Sequence, residues 1–228
     1  MHDLLLLHGA IGSKDQLQDL SIALRPHYNV HTLNFCGHGG EPFASDFSIQ
    51  GFAASVQNYM AANAIASAHI FGYSMGGYVG MYLAKNHPAL VTKLVTLATK
   101  FYWDESVAAK EMKMLDASVI RQKVPAFAQQ LAKRHGEDNW ITLLDKTKDL
   151  LFQLGNNNQL QPHDYTGIAS ECLVMLGDRD KMVTMEETIS TYLGLKTAQL
   201  CILPATTHPI EQVDIAVLTF HLRRRLPS

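Results

Sequence analysis

Residues 69–80 read HIFGYSMGGYVG, and this stretch decides the fold that the sequence predicts. An apolar, strand-like run leads into Ser74 and a helix-like run follows it, with Gly72 and Gly76 two residues to either side. This is the pattern G-x-S-x-G at a strand-to-helix turn, where a sharp bend projects the serine hydroxyl above a sheet. A side chain at either glycine would collide with the neighbouring backbone, so the glycines keep the hydroxyl accessible. The stretch predicts that Ser74 is a nucleophile; the alternative is a glycine-rich turn with an incidental serine.

Short apolar runs alternate with helical patterns along most of the chain. The runs are DLLLLHG, YNVHTLNF, AHIFGY, LVTKLVTLA, SECLVMLG and TAQLCILP. Alternation of this kind predicts an α/β fold, with a mostly parallel central sheet and helices on both of its faces.

Residues 101–165 interrupt that alternation. No strand-like run occurs there, and apolar residues recur at helical spacing. One helix is marked by Trp140, Leu143, Leu144, Thr147, Leu151 and Leu154, a second by Ala108, Met112, Leu115 and Val119, and a third by Val124, Phe127, Ala128 and Leu131. We therefore expect a helical insertion at 101–165 within a core made of residues 1–100 and 166–228. Part of its apolar surface must pack on the core, and the remainder is expected to line a pocket over Ser74.

Composition narrows the classes of partner. The chain has 228 residues, 47% of them hydrophobic, and a net charge of −2 from 19 basic and 21 acidic residues. This length supports one good core with a small appendage. The absence of excess positive charge argues against nucleic acid and anionic lipid as partners.

The cysteines and the first residues bear on location. Cys36, Cys172 and Cys201 are widely spaced, and two of them lie in apolar runs, where cysteine behaves as a small hydrophobe. No basic leader precedes the LLLL run, which is far too short to span a membrane. We expect a chain that begins at Met1, works in a reducing cytoplasm and has no membrane partner.

A serine hydroxyl needs a base to take its proton and an acid to orient that base, here expected in the order Ser, acid, His. Asp178 and Asp180 follow the strand run ECLVML, and His208 follows the strand run AQLCILP. Both positions fall at carboxyl ends of strands, the edge where open α/β sheets place their sites. His208 is therefore the predicted base, with Asp178 or Asp180 as the acid.

Backbone N–H groups are also needed, because acyl transfer creates an oxyanion that preorganised donors stabilise. The first strand ends in LLLLHGAIGS, and we expect its Ala10 N–H to be one donor. The Met75 N–H is the other candidate, since it follows the nucleophile at a helix N-terminus. His8 is expected to support this loop by hydrogen bonding and to take no part in the chemistry.

Together, HGAIGS, GHGGE, GYSMGG, GDRDKMV and THP resemble the α/β-hydrolase superfamily over residues 1–100 and about 166–228. The resemblance implies about six strands, because two strands usual at the family's N-terminus are missing, and it makes 101–165 the family's helical cap. It selects Asp180 as the acid, three residues after the strand-ending glycine, and it places the oxyanion donors at Ala10 and Met75. Asp104, after another strand, is an alternative acid, because the family occasionally moves this residue.

Two positions depart from the family's pattern. Asn34 stands where many relatives have Asp, and Thr207 precedes the histidine where Gly is common. Neither departure removes a catalytic atom, although each can change the hydrogen bonding or bending of a loop near the site.

The sequence predicts a serine hydrolase that cleaves a small to medium, mostly apolar carboxylic ester or thioester through an acyl-enzyme. One alternative on the same triad is a C–C bond hydrolase or a lyase like those of the menaquinone pathway, although those lyases carry Arg where this chain has Tyr78. A third possibility is a non-enzymatic small-molecule receptor. No metal-binding motif, dinucleotide loop or phosphate loop occurs, so no metal and no cofactor are expected. The oligomeric state is left open.

Overall fold

The computed structural model describes residues 1–227, and the chain forms six strands within that range. They are β1 (Asp3–Leu7), β2 (Asn29–Thr32), β3 (Ala68–Tyr73), β4 (Val91–Leu97), β5 (Glu171–Gly177) and β6 (Ala198–Leu203). The strands build one sheet in the order β2-β1-β3-β4-β5-β6, and every neighbouring pair is parallel. The predicted fold class is confirmed.

Nine α-helices occur in the same described range. They are α1 (Gln18–Leu24), α2 (Ile49–Ala62), α3 (Met75–Asn86), α4 (Glu105–Met112), α5 (Ala117–Lys123), α6 (Pro125–His135), α7 (Asn139–Asn156), α8 (Met185–Gly194) and α9 (Ile215–Arg225). Helices α1 and α9 pack on one face of the sheet, whereas α2 and α3 pack on the other.

Strand β1 shows why the apolar runs form this sheet. Its four leucines are completely buried, with Leu4 and Leu6 in the α1/α9 core and Leu5 and Leu7 in the α2/α3 core. Side chains alternate between the two faces of a strand, and both faces of this sheet are covered by helices. A continuous apolar run therefore supplies buried side chains to both cores.

The topology sets the position of the site. Strand β1 lies between β2 and β3. After β1 the chain adds β2 on one side of it, and it then crosses back to add β3 to β6 in turn on the other side. Open α/β sheets bind ligands at the carboxyl ends of strands beside such a reversal. Leu7 of β1 pairs with Gly72 of β3, which brings the loop after β1 level with Ser74.

Helices α4 to α7 fill the segment between β4 and β5, where a helical insertion is expected. The predicted helix through Ala108 and Val119 is wrong in its continuity, because α4 ends at Met112 and α5 starts anew. Asp116 causes this break, since its carboxylate accepts the N–H groups of Ser118 and Val119 and caps α5. The division into a core of residues 1–100 and 166–228 and a cap of residues 101–165 stays a prediction.

The helical segment has a small core of its own. Ile120, Ala128, Leu131, Trp140 and Leu144 pack together there. Leu143, Leu150 and Leu154 of α7 instead join the α2/α3 core. Among residues 1–227, no helix combines the length and the apolar character that crossing a membrane requires.

The contact between α3 and β1 yields a stability prediction. A Cβ at Gly76 would lie 2.6 Å from the Leu7 carbonyl carbon and 2.7 Å from the His8 carbonyl oxygen, which are backbone atoms that cannot rotate away. Gly76→Ala should lower the free energy of unfolding by about 1–3 kcal/mol, measured by urea denaturation. Gly167→Ala is the control, because no atom lies within 4 Å of the added Cβ. Equal stability of the two variants would contradict the proposed close contact.

Candidate active site

Ser74 occupies a strained turn between β3 and α3. Its backbone lies at φ 50° and ψ −118°, and residues other than glycine rarely adopt such a positive φ. Such a residue costs about 1–3 kcal/mol and persists only where its surroundings hold it. Strand β4 and the loop after it do this, because the Ser74 N–H donates to the Leu97 carbonyl (2.9 Å) and the Thr99 hydroxyl donates to the Ser74 carbonyl (3.1 Å).

Asp180 and His208 form the pair expected of an acid and a base. His208 Nδ1 lies 2.8 Å from Asp180 Oδ2, and the carboxylate is completely buried. Oδ1 accepts the N–H groups of Met182 (2.8 Å) and Val183 (2.9 Å). Burial by itself would raise the pKa of Asp180, but the hydrogen bonds from His208 and the two backbone groups outweigh it and hold this pKa below its usual value. An ionised carboxylate only accepts, so Nδ1 carries the proton and Nε2 is left free as a base.

The other two candidate acids have other partners. Asp178 accepts the Thr206 N–H at 3.2 Å and so joins the loops after β5 and β6. Asp104 is half-buried and caps α4 by accepting the Val107 N–H at 2.8 Å. Of the three carboxylates, Asp180 is the one that contacts the His208 ring.

Ser74 and His208 line the same cavity. Tyr73, next to the serine, donates its hydroxyl to the His208 carbonyl at 3.1 Å, and the two rings lie 5.6 Å apart. The hydrogen bonds of residues 1–227 include none between Ser74 Oγ and the His208 ring. The fold thus joins Asp180 to His208 directly and places the serine in the cavity that His208 lines. Catalytic hydrogen bonds are often loose before substrate binds.

Both predicted backbone donors also line this cavity. Met75 is the first residue of α3, so its N–H has no acceptor within the helix. Ala10 lies in the turn after β1, and its N–H has no acceptor among the hydrogen bonds of residues 1–227. Both groups therefore stay candidates for donors to an oxyanion.

His8 supports the turn after β1 by hydrogen bonding, as predicted. It is completely buried, its Nε2 accepts the Phe35 N–H at 3.1 Å, and its Nδ1 lies 2.8 Å from the Gly9 carbonyl. Because Nε2 accepts, the proton is on Nδ1 and is donated to that carbonyl. The turn is strained at Ile11, whose φ of 50° is unusual for a β-branched residue.

Two further buried histidines, His38 and His135, were not predicted from the sequence. The His38 ring lies 5.0 Å from that of His8 and 6.1 Å from that of His135. Burial lowers the pKa of His8 and of His135 to about 4, and lowers the pKa of His38 well below its usual value. The three form a neutral histidine cluster beneath the turn. No local pattern marks His135, which reaches the turn only through the tertiary fold.

The cavity has a volume of about 690 Å³ and is largely apolar. Its apolar lining includes two residues of the core, Ile49 and Tyr78, and six of the helical segment, Trp103, Leu115, Phe127, Leu150, Leu151 and Leu154. Its polar lining includes Gln16, Lys100, Glu111, Arg134, Glu211 and Gln212. Most other apolar residues of the segment pack in the interior, so only part of its apolar surface faces the cavity.

The two departures from the family's pattern have structural partners. Asn34 accepts the Lys14 N–H at 2.8 Å and donates to the Gly39 carbonyl at 3.4 Å, so it links two loops near the histidine cluster. Thr207 donates its hydroxyl to Gln212 at 2.6 Å.

Within residues 1–227, no three His, Cys, Asp or Glu side chains are grouped so as to hold a metal ion.

A family model described as the alpha/beta hydrolase fold matches residues 4–159, more than half of the chain. The chain therefore belongs to the α/β-hydrolase fold family. The matched range includes Ser74 and ends before Asp180 and His208, so the match does not bear on those two residues.

One curated relative is a pimeloyl-acyl carrier protein methyl ester esterase from Neisseria meningitidis serogroup C, 33% identical over 129 residues. The match covers 56% of this chain and 48% of that relative, so the chain spans about half the length of the curated relative. A hydrolase from Pseudomonas aeruginosa PA01 superposes with a TM-score of 0.82 at 16% identity, covering 100% of this chain and 90% of that chain. The 2-hydroxy-6-oxo-6-phenylhexa-2,4-dienoate hydrolase of Rhodococcus sp. strain RHA1 also superposes with a TM-score of 0.82, at 14% identity. That match covers 100% of this chain and 91% of the other chain. Both structures support the fold alone.

The neutral histidine cluster predicts acid sensitivity. Between pH 6.5 and about 4 the unfolded chain takes up protons that the folded chain excludes at His8 and His135, so the free energy of unfolding falls as the pH falls. The loss between pH 7 and pH 5 should be on the order of 2 kcal/mol for each histidine, measured by urea denaturation. His135→Gln should reduce the loss, whereas His163→Gln, at an exposed position, should not. Equal stability of the wild-type protein at both pH values would refute the assignment.

Proposed function

We propose that the protein is a serine hydrolase that cleaves a small to medium, mostly apolar carboxylic ester or thioester through an acyl-enzyme. The observation that carries the proposal is the buried Asp180–His208 hydrogen bond at a cavity that also contains the strained Ser74. The name of the Neisseria relative, a methyl ester esterase, supports the ester class.

In the proposed mechanism, Ser74 Oγ attacks the carbonyl carbon of the ester while His208 Nε2 takes the hydroxyl proton. The N–H groups of Ala10 and Met75 stabilise the resulting oxyanion. His208 then gives its proton to the leaving alcohol or thiol as the bond to the acyl carbon breaks. Water, activated by the same imidazole, attacks the acyl-enzyme and releases the acid. Asp180 holds the required tautomer and stabilises the imidazolium in both halves of the reaction.

The cavity supports an apolar acyl group in preference to a charged one. Its wall carries aliphatic and aromatic side chains, and Tyr78 stands where the lyases of the family carry Arg. The Tyr78 hydroxyl is already engaged, since it donates to Asn158 and accepts the Leu160 N–H at 3.1 Å. The hydroxyl offers no cation for a substrate carboxylate, and the two cations that line the cavity are already paired, Lys100 with Glu111 and Glu187 and Arg134 with Glu211. These pairings weigh against the lyase alternative. A cytoplasmic location and a small-molecule acyl partner remain part of the proposal.

Turnover of p-nitrophenyl acetate, butyrate, hexanoate and decanoate tests the substrate class. Each buried methylene contributes about 0.8 kcal/mol, so kcat/KM should rise about fourfold per carbon until the cavity is full and should then fall. Ser74→Ala should abolish both turnover and labelling by a fluorophosphonate, whereas Ser190→Ala, at an exposed position on α8, should change neither. Indifference to chain length with activity only on a carboxylate-bearing substrate would favour the C–C hydrolase or lyase. Ligand binding without turnover would favour the receptor.

The acid is tested by three Asn variants assayed on the butyrate ester. Asp180→Asn should lower kcat by about three to four powers of ten, because an amide stabilises the wrong histidine tautomer. Asp178→Asn and Asp104→Asn should each cost less than about tenfold, since neither carboxylate contacts the histidine. A larger loss in Asp178→Asn or Asp104→Asn than in Asp180→Asn would transfer the role to that residue.

A further inference from the structure

The turn that carries the Ala10 N–H is strained one residue later, at Ile11, and its conformation must be held by other groups. Within the turn, the Gly12 N–H donates to the Gly9 carbonyl at 3.2 Å. From outside, the Ile11 carbonyl accepts from two neighbouring residues of α6, His135 Nε2 at 2.9 Å and Arg134 at 3.4 Å. The shorter of these bonds comes from a completely buried ring, whereas Arg134 borders the cavity and also contacts Glu211.

The His135 ring joins two loops of the core at once. Its Nδ1 accepts the Gly39 N–H at 2.9 Å, and an N–H group can only donate. The ring proton must therefore be on Nε2, where it is donated to the Ile11 carbonyl. One neutral tautomer satisfies both bonds, and a second ring proton would place two N–H groups against each other at Gly39.

We propose that His135 is a positioning residue for the oxyanion donor Ala10, because its ring clamps the strained Ile11 carbonyl against the loop that contains Gly39. The inference rests on the proposed function. It gives the end of α6 a role in the chemistry without contact with the substrate, since His135 does not line the cavity.

The groups that face the ring favour this neutral state. His38 lies 6.1 Å away between centroids, His8 lies beyond it, and Arg134 is the adjacent cation. Glu211, the carboxylate that contacts Arg134, also accepts a hydrogen bond from Gln16. A proton on His135 would meet a cation and two uncharged rings, and it would break the bond from Gly39.

The test compares three variants at pH 8 with p-nitrophenyl butyrate and with a trifluoromethyl ketone, which forms a tetrahedral oxyanion on the serine. His135→Leu removes both bonds, and His135→Gln keeps one acceptor and one donor in a side chain that does not titrate. His69→Leu is the matched control, because His69 is also buried and bonded to its neighbours, but it lies in β3 away from the turn.

We expect His135→Leu to lower kcat by about 10- to 100-fold with KM changed less than about threefold, and to weaken ketone binding by a similar factor. His135→Gln should stay within about threefold of the wild-type kcat, and His69→Leu should keep kcat although it lowers stability. Equal kcat and equal ketone affinity in His135→Leu and His69→Leu would overturn the proposal. A folded wild-type protein that turns over no ester would instead remove the proposed function on which it rests.

If His135→Leu does not fold, His135→Asn decides at pH 8. Its amide oxygen can take the place of Nδ1 as acceptor of the Gly39 N–H, but the side chain is too short to donate to the Ile11 carbonyl. The variant should therefore lower kcat and ketone affinity by about 10-fold or more, with KM changed less than about threefold. Wild-type kcat and ketone affinity in folded His135→Asn would overturn the positioning role.

Discussion

The first turn of α3 lies against the backbone of β1 at Gly76, with no room there for a Cβ atom. This close approach places the start of the helix beside the carbonyl groups of Leu7 and His8. The register of Leu7 with Gly72 sets the ends of β1 and β3 level. Ser74 and the turn after β1 consequently share one corner of the sheet. The cavity, the helix N-terminus and the candidate oxyanion donors all depend on that contact.

Most of the sheet could be predicted from the sequence because a strand covered on both faces needs an unbroken apolar run. The four buried leucines of β1 are such a run. The helical segment was harder, because apolar spacing continues through Met112, Leu115 and Val119 although the helix does not. There a single polar side chain sets the helix boundary, since Asp116 caps a new helix instead of continuing the old one. Spacing predicts which face of a helix is buried, whereas local capping decides where the helix begins.

The Asp180–His208 pair was predictable for a related reason. Parallel strands end at one edge, so residues that follow β5 and β6 are brought together whatever their separation in the chain. His135 follows no strand. It lies 124 residues from Ile11, and its contact depends on how α6 packs over the turn, which no spacing in the sequence encodes. The shape of the cavity was beyond prediction for the same reason, because the residues of the helical segment divide between its wall and the interior.

The site places ionisable groups in two opposite environments. On the side of β5 and β6, three hydrogen bonds keep the buried Asp180 charged. Beneath the turn after β1, burial keeps His8, His38 and His135 neutral, so their rings can fix backbone groups without adding charge near the proposed oxyanion. None of those three rings lines the cavity, and His208 is the one histidine of residues 1–227 that does. In the proposed mechanism, the proton released by Ser74 therefore meets a single imidazole, the one whose partner is the ionised carboxylate.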